Sequence, residues 1–219
     1  KRYIEDVVRQ AIADGCTQVV NVGAGFDTLA SRLAKQHPQV NFIEIDHPAT
    51  HQLKRKALMT SEGGTSLNLH LLSADLMTER LEQVLENAEF VKSDAPTVCI
   101  LEGVLMYLDA KSVEQVFSSF AQCLNSGIRV AMTAVGPASS SDNSYGWLLK
   151  MYLAVVGESL NWTVKKTEIE NFLNSLGYDL VVSADSKDFR RKYLPENDTS
   201  VLHNGEYIAV ADYQWTKAR

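Results

Sequence analysis

The sequence predicts a doubly wound α/β fold: a mostly parallel seven-stranded sheet whose last strand runs antiparallel. Three observations point to it. Short apolar runs of strand length alternate with stretches of helical periodicity, the pattern of β-α units that cover both faces of a sheet with helices. The Val-rich run Gln18-Val19-Val20-Asn21-Val22 stops at Gly23-Ala24-Gly25, and a helical pattern follows from Thr28, giving a strand, a tight glycine turn and a helix start. The next three strands each deliver a carboxylate at their carboxyl end: Asp46, Asp75 and Glu102. Ligands of open α/β sheets bind in the crevice beyond these strand ends, so the glycine turn and the three carboxylates are expected to share one cleft.

At 219 residues, 45% hydrophobic and 22% charged, the chain has the size and make-up of one globular domain, and a single domain over 1–219 is expected. Its net charge of -6 argues against a protein built to coat nucleic acid or an anionic membrane. Cys16, Cys99 and Cys123 are odd in number and form no Cys-x-x-Cys pair, which points to a reducing compartment. No apolar run has spanning length and no signal peptide opens the chain, so a soluble cytoplasmic protein is the expectation. In that setting the sequons at Asn161-Trp162-Thr163 and Asn197-Asp198-Thr199 are chance matches. The chain opens on Lys1 rather than Met, which suggests residues upstream.

Tyr3, Ile4, Val7, Val8, Ala11 and Ile12 recur at helical spacing, and Asp14-Gly15 closes that helix before the first strand. In the glycine turn, the missing Cβ lets backbone approach a ligand, and amides at the following helix start add a weakly positive rim suited to a nucleotide-like or adenosyl group. Leu29, Ala30, Leu33 and Ala34 continue the second helix, and 40–46 is the second strand. Asp46 follows Gly25 at roughly the 20-residue separation from which an acidic side chain accepts hydrogen bonds from a ribose diol. Glu44, read as having the opposite parity, is the alternative, and capping the helix that opens at Pro48 is the competing role for Asp46. Within that helix, Lys54-Arg55-Lys56 reads as a solvated face. The third strand, 67–73, precedes Ala74-Asp75-Leu76, and Thr78 caps a helix reaching about Phe90. The fourth strand, 97–101, is tipped by Glu102-Gly103.

A helix over 110–125 turns Val113, Val116, Phe117 and Phe120 to the core, and 128–135 is the fifth strand. A serine-rich loop from Gly136 precedes Trp147, Leu148, Met151, Tyr152 and Val155, a stripe that reads as core, while 136–160 as a whole is a candidate substrate lid. A helix over 167–176 and a strand over 178–184 follow. A long loop containing Arg190 and Arg191 then leads to the last strand, 205–214, expected at an antiparallel edge.

Residues 21–28 (Asn-Val-Gly-Ala-Gly-Phe-Asp-Thr), 45–48 (Ile-Asp-His-Pro), 74–76 (Ala-Asp-Leu) and 102–108 (Glu-Gly-Val-Leu-Met-Tyr-Leu) together resemble the leucine carboxyl methyltransferase family. That group includes bacterial O-methyltransferases of polyketide and other secondary metabolism, and the resemblance runs over roughly residues 2–135. It implies a class I, Rossmann-like methyltransferase fold and S-adenosylmethionine as cofactor. The methyl would go to a carboxylate or hydroxyl oxygen of a small metabolite or polyketide-like acceptor. By the same resemblance Gly23, Ala24 and Gly25 contact the methionyl and ribose portions, Asp46 holds the ribose hydroxyls with His47 beside it, and Glu102 takes the methionyl amine. Asp75 receives the adenine amino group beside the Leu76 backbone, Asp27 and Thr28 hold the shape of the turn, and Arg2 binds the cofactor carboxylate. The family's additional N-terminal lid helices are not expected in this chain.

A sulfonium cation with a free amine suits a carboxylate-lined cleft, and in-line methyl displacement asks the protein for alignment and exclusion of water. No metal is expected: of His37, His47, His51, His70 and His203, only His47 and His51 are four apart, and no further ligand pattern accompanies them. A carboxylate acceptor needs no general base; for a hydroxyl acceptor Tyr107 and His203 are the candidates, with a packed aromatic the competing role for Tyr107. Thr28 stands where a dinucleotide-binding turn would want glycine, which disfavours an NAD(P)-dependent oxidoreductase. A non-catalytic cofactor-binding protein of the same fold is the other alternative. The expected partner is a small-molecule acceptor, not nucleic acid or a membrane.

Overall fold

The computed structural model describes residues 1–60, 64–137, 160–202 and 204–215. The strands β1 (Gln18–Val22), β2 (Asn41–Asp46), β3 (Leu69–Ser73), β4 (Thr97–Leu101), β5 (Ile128–Val135), β6 (Asp179–Ala184) and β7 (Glu206–Tyr213) form a sheet in the order β3-β2-β1-β4-β5-β7-β6. β1 pairs in parallel with both β2 and β4. The chain therefore leaves β1 toward one side of the sheet and later continues on the other, the switch point where a crevice opens.

β7 is antiparallel to both of its neighbours, β5 and β6. It lies between them, so the edge strand is β6 and not, as expected, the last strand. The reason is in its side chains. Tyr207, Ile208, Ala209, Val210 and Ala211 are all buried, as an interior strand requires, whereas β6 leaves Val181 and Val182 exposed. Register is pinned by Arg129 opposite Asp212, joined Nε to Oδ1 at 2.8 Å and Nη2 to Oδ2 at 2.7 Å.

On one face, α1 (Arg2–Ala13) and α2 (Leu29–Gln36) bury Ile4, Val8, Leu29 and Leu33 against Val19, Phe42, Val98 and Ile100. The other face carries α4 (Leu81–Glu86), α5 (Ala110–Cys123) and α6 (Ile169–Ser175), with Leu85, Phe117, Phe120 and Ile169 packed on Val20, Ile43, Cys99 and Val130. α3 (Pro48–Thr60) follows β2 and carries little apolar surface to the sheet. The segment read as a long loop before the last strand contains a further helix, α7 (Ser186–Tyr193), opened by an Asp185/Asp188 capping box. It packs beside α1, with Tyr3 and Phe189 rings 5.6 Å apart. Cys16, Cys99 and Cys123 are buried free thiols. Among the described residues, no helix is long and apolar enough to cross a membrane.

Candidate active site

The tips of β1, β2, β3 and β4 are laced together by backbone. Gly23 and Ala24 amides donate to the Ile45 carbonyl at 2.8 and 3.3 Å, and the Ala74 amide donates to the Asp46 carbonyl at 2.9 Å. On the other side, the Gly103 amide donates to Thr133 Oγ1 at 2.8 Å, tying the β4 tip to β5. Gly23 has a φ of +67°, and a Cβ there would stand 2.3 Å from Val104 Cγ2. The turn is glycine because the β4 tip closes over it.

Each expected side chain has a definite setting. Asp46 Oδ1 accepts from the His47 amide at 2.8 Å, while its Oδ2 is buried without a hydrogen-bond partner among the described residues. Capping α3 falls instead to exposed His47, whose Nδ1 accepts from the Ala49 amide at 3.3 Å. Asp75 is half-buried; its Oδ1 accepts from the Met77 amide at 3.0 Å and its own amide donates to Glu79 Oε1. Leu76 packs partly against the core. Asp27 Oδ1 accepts from the Leu29 amide at 3.0 Å and so opens α2. Glu102 Oε1 lies 3.1 Å from Lys1 Nζ, and its Oε2 is buried without a hydrogen-bond partner among the described residues.

Lys1 also reaches Asp27 Oδ2 at 3.4 Å. Although desolvation works the other way, Glu102 and Asp27 hold its ammonium above the usual lysine range. Arg2, expected at the cofactor carboxylate, has its guanidinium 4.9 Å from the centre of the Tyr193 ring on α7. Among the described residues, the cation beside Glu102 is Lys1. Tyr107 sits in the short turn Leu105–Tyr107 beside the β4 tip, 37% exposed. Its carbonyl accepts from Asn161 Nδ2 at 2.8 Å, and the Met106 carbonyl accepts from the Asn161 amide at 2.8 Å. The chain thus returns to this edge at Asn161, whose side chain is used for anchorage. His203, and residues 138–159 of the expected lid, lie outside the described residues.

The family model described as leucine carboxyl methyltransferase matches residues 1–121, more than half of the chain. The chain belongs to the leucine carboxyl methyltransferase family. It is 30% identical over 149 residues to leucine carboxyl methyltransferase 1 of Caenorhabditis elegans, covering 56% of this chain and 44% of that protein. It is 29% identical over 199 residues to a Mycobacteroides abscessus protein named as an S-adenosyl-L-methionine-dependent methyltransferase, covering 82% of this chain and 65% of that one. The chain therefore spans roughly half the length of these relatives. Among solved structures it resembles magnesium protoporphyrin IX methyltransferase from Synechocystis with bound SAH, at a TM-score of 0.58 and 14% identity over 97% of this chain and 82% of that one. That likeness is one of fold.

Two features of this family member were not visible in the motifs. Glu44 and Asp46, two residues apart, share one face of β2 rather than opposite ones. Lys54, read as part of a solvated run, is buried, with Nζ 2.7 Å from Glu44 Oε2; Arg55 and Lys56 are exposed as expected. The signal was available, since an acidic residue between Ile43 and Ile45 in a buried strand demands a cation or donors. A recess of about 210 Å³, walled by Gly136, Lys166, Ser186 and Tyr207, opens elsewhere on this edge and holds none of the strand-tip carboxylates.

Proposed function

We propose that the chain is an S-adenosylmethionine-dependent O-methyltransferase domain that modifies a carboxylate or hydroxyl oxygen of a small acceptor. The observation that carries this reading is the pair of buried acceptor atoms beside the glycine turn. Asp46 Oδ2 and Glu102 Oε2 lack hydrogen-bond partners among the described residues. Buried carboxylate oxygens are costly without donors, and a donor-rich, cationic ligand would supply them. A ribose diol at Asp46 and an α-ammonium at Glu102 meet that need; a dinucleotide offers the diol but no ammonium for Glu102.

S-adenosylmethionine, when bound, supplies an electrophilic methyl group. The chain's own residues would do the rest. Asp46 would fix the nucleoside, Asp75 would receive the adenine amino group beside Leu76, and Glu102 would orient the amino acid end. The exposed Lys1 arm holds its two carboxylates weakly and would yield to an incoming ammonium. The strand tips, once ordered around the ligand, would present the methyl in one direction, and catalysis reduces to alignment of the acceptor and removal of water. Carboxylate acceptors would need no base. For a hydroxyl acceptor, Tyr107 is the described candidate at this edge.

Calorimetric titration with S-adenosylhomocysteine, with NADH as control ligand, tests the reading. Saturable micromolar binding of the first and none of the second is expected. Binding of NADH instead, or of neither, would remove the cofactor assignment.

A further inference from the structure

Glu44 and Lys54 are buried charges that no proposed ligand contact uses. Their side chains are 2% and 8% exposed. Two buried charges seldom stabilise a fold better than two apolar side chains would, because desolvation offsets their attraction. Yet Lys54 is the buried residue of α3, while Leu53 and Met59 of that helix are 60% and 68% exposed. A leucine at position 54 would serve packing as well. The charge calls for another reason.

That reason lies in what surrounds Glu44. It shares its strand face with Asp46; burial first, and then the carboxylates of Asp27 and Asp46, push its carboxyl above the usual range, and Lys54 Nζ at 2.7 Å is the charge that opposes them. Asp46 Oδ1 already accepts from the His47 amide, so Oδ2 is the oxygen whose full accepting capacity is left for a ligand hydroxyl. An unpaired Glu44 would repel Asp46 through low-dielectric surroundings, either displacing its carboxylate or making the two share a proton.

We propose that Lys54 is a positioning residue: by pairing with Glu44 it relieves Asp46 of a neighbouring negative charge and keeps Asp46 Oδ2 open to the cofactor's ribose diol. The proposal rests on the assignment of Asp46 to the ribose, and its test separates the two. S-adenosylhomocysteine affinity is measured by calorimetry for the parent chain, D46N, K54M, D46N/K54M and E44Q/K54M, with folding followed by urea midpoints. K54M is expected to bind roughly tenfold more weakly, a usual coupling for neighbours in one network. In the D46N background the same change should cost nothing further, and E44Q/K54M, which removes both charges, should return to within about threefold of the parent. Glu44→Asp keeps both charges but opens the pair by one methylene; it is the milder form of the test should K54M not fold, with an expected loss of about threefold.

Equal losses from K54M with and without Asp46, or an E44Q/K54M chain as weak as K54M, would make the pair a fastening for α3 only and overturn the proposal. D46N binding as tightly as the parent would instead remove the ribose assignment, and the positioning role with it.

Discussion

At the scale of single residues, two kinds of change separate ligand contacts from framework. Asp46→Ala and Glu102→Ala each remove a buried acceptor whose partner is proposed to come from the cofactor. Each should weaken S-adenosylhomocysteine binding by about 1–3 kcal/mol while leaving the fold intact. Calorimetry on folded variants checks this, and unchanged affinity in either would take that residue out of the site. The glycines test the framework. Gly23→Ala puts a Cβ 2.3 Å from Val104 Cγ2 at a φ of +67°, and should cost about 2–4 kcal/mol through overpacking and strain. Gly25→Ala meets open space at a φ of +50° and should cost about 1 kcal/mol. Urea denaturation of the two side by side would show the difference; equal costs would mean that the β4 tip does not close on the turn.

At the scale of elements, α1 and α2 are joined by Glu5, which receives Arg32 Nη2 at 2.7 Å and Arg9 Nη2 at 2.8 Å. Arg32 first, then Arg9, hold its carboxyl down to about 2 from an ordinary 4.5, against desolvation. A depressed folded pKa contributes stability that is complete above the ordinary value and lost as pH falls through the folded one. Glu5→Gln should therefore be less stable by about 1 kcal/mol near neutrality, a small figure because both arginines are open to solvent. The deficit should shrink as pH falls from 4.5 toward 2. Urea midpoints across that range decide it, and a deficit independent of pH would place the effect in packing. The same scale shows what could be read in advance. β1, β4 and β5 are buried on both faces, so their apolar runs announced their own limits. α7 carries a weak sequence signal, a polar capping pattern around Asp185 and Asp188 with Phe189 to mark an apolar face. Chain order alone puts β7 at the edge, because it says nothing of insertion between earlier strands. The strand-tip carboxylates were legible by position, since strand ends fix where a side chain emerges. Lys54 is legible only indirectly: a run of three cations looks solvated until Glu44, between Ile43 and Ile45 of a buried strand, is set against it.

At the scale of the whole molecule, the sheet order divides the carboxyl edge into two halves. The tips of β1 to β4 carry the turn and the carboxylates, and the β5-β7-β6 half carries the lysine-walled recess. A ligand bound to the first half should raise stability by mass action, about 2.7 kcal/mol at a hundredfold excess over Kd, or roughly 5–10 °C in melting temperature for a chain of this length. Hydrogen exchange would then locate it. Amides that exchange through local opening should gain protection at 23–28, 46–48, 75–77 and 102–108, where the tips are stitched by few bonds, while the β6 edge and the start of α7 stay as they were. The two halves are continuous through the β4–β5 pairing, and Thr133 adds a hydrogen bond from the Gly103 amide to β5. Protection centred on Lys166 and Ser186 would place the S-adenosylhomocysteine site in the recess and leave the strand-tip carboxylates to be explained as framework.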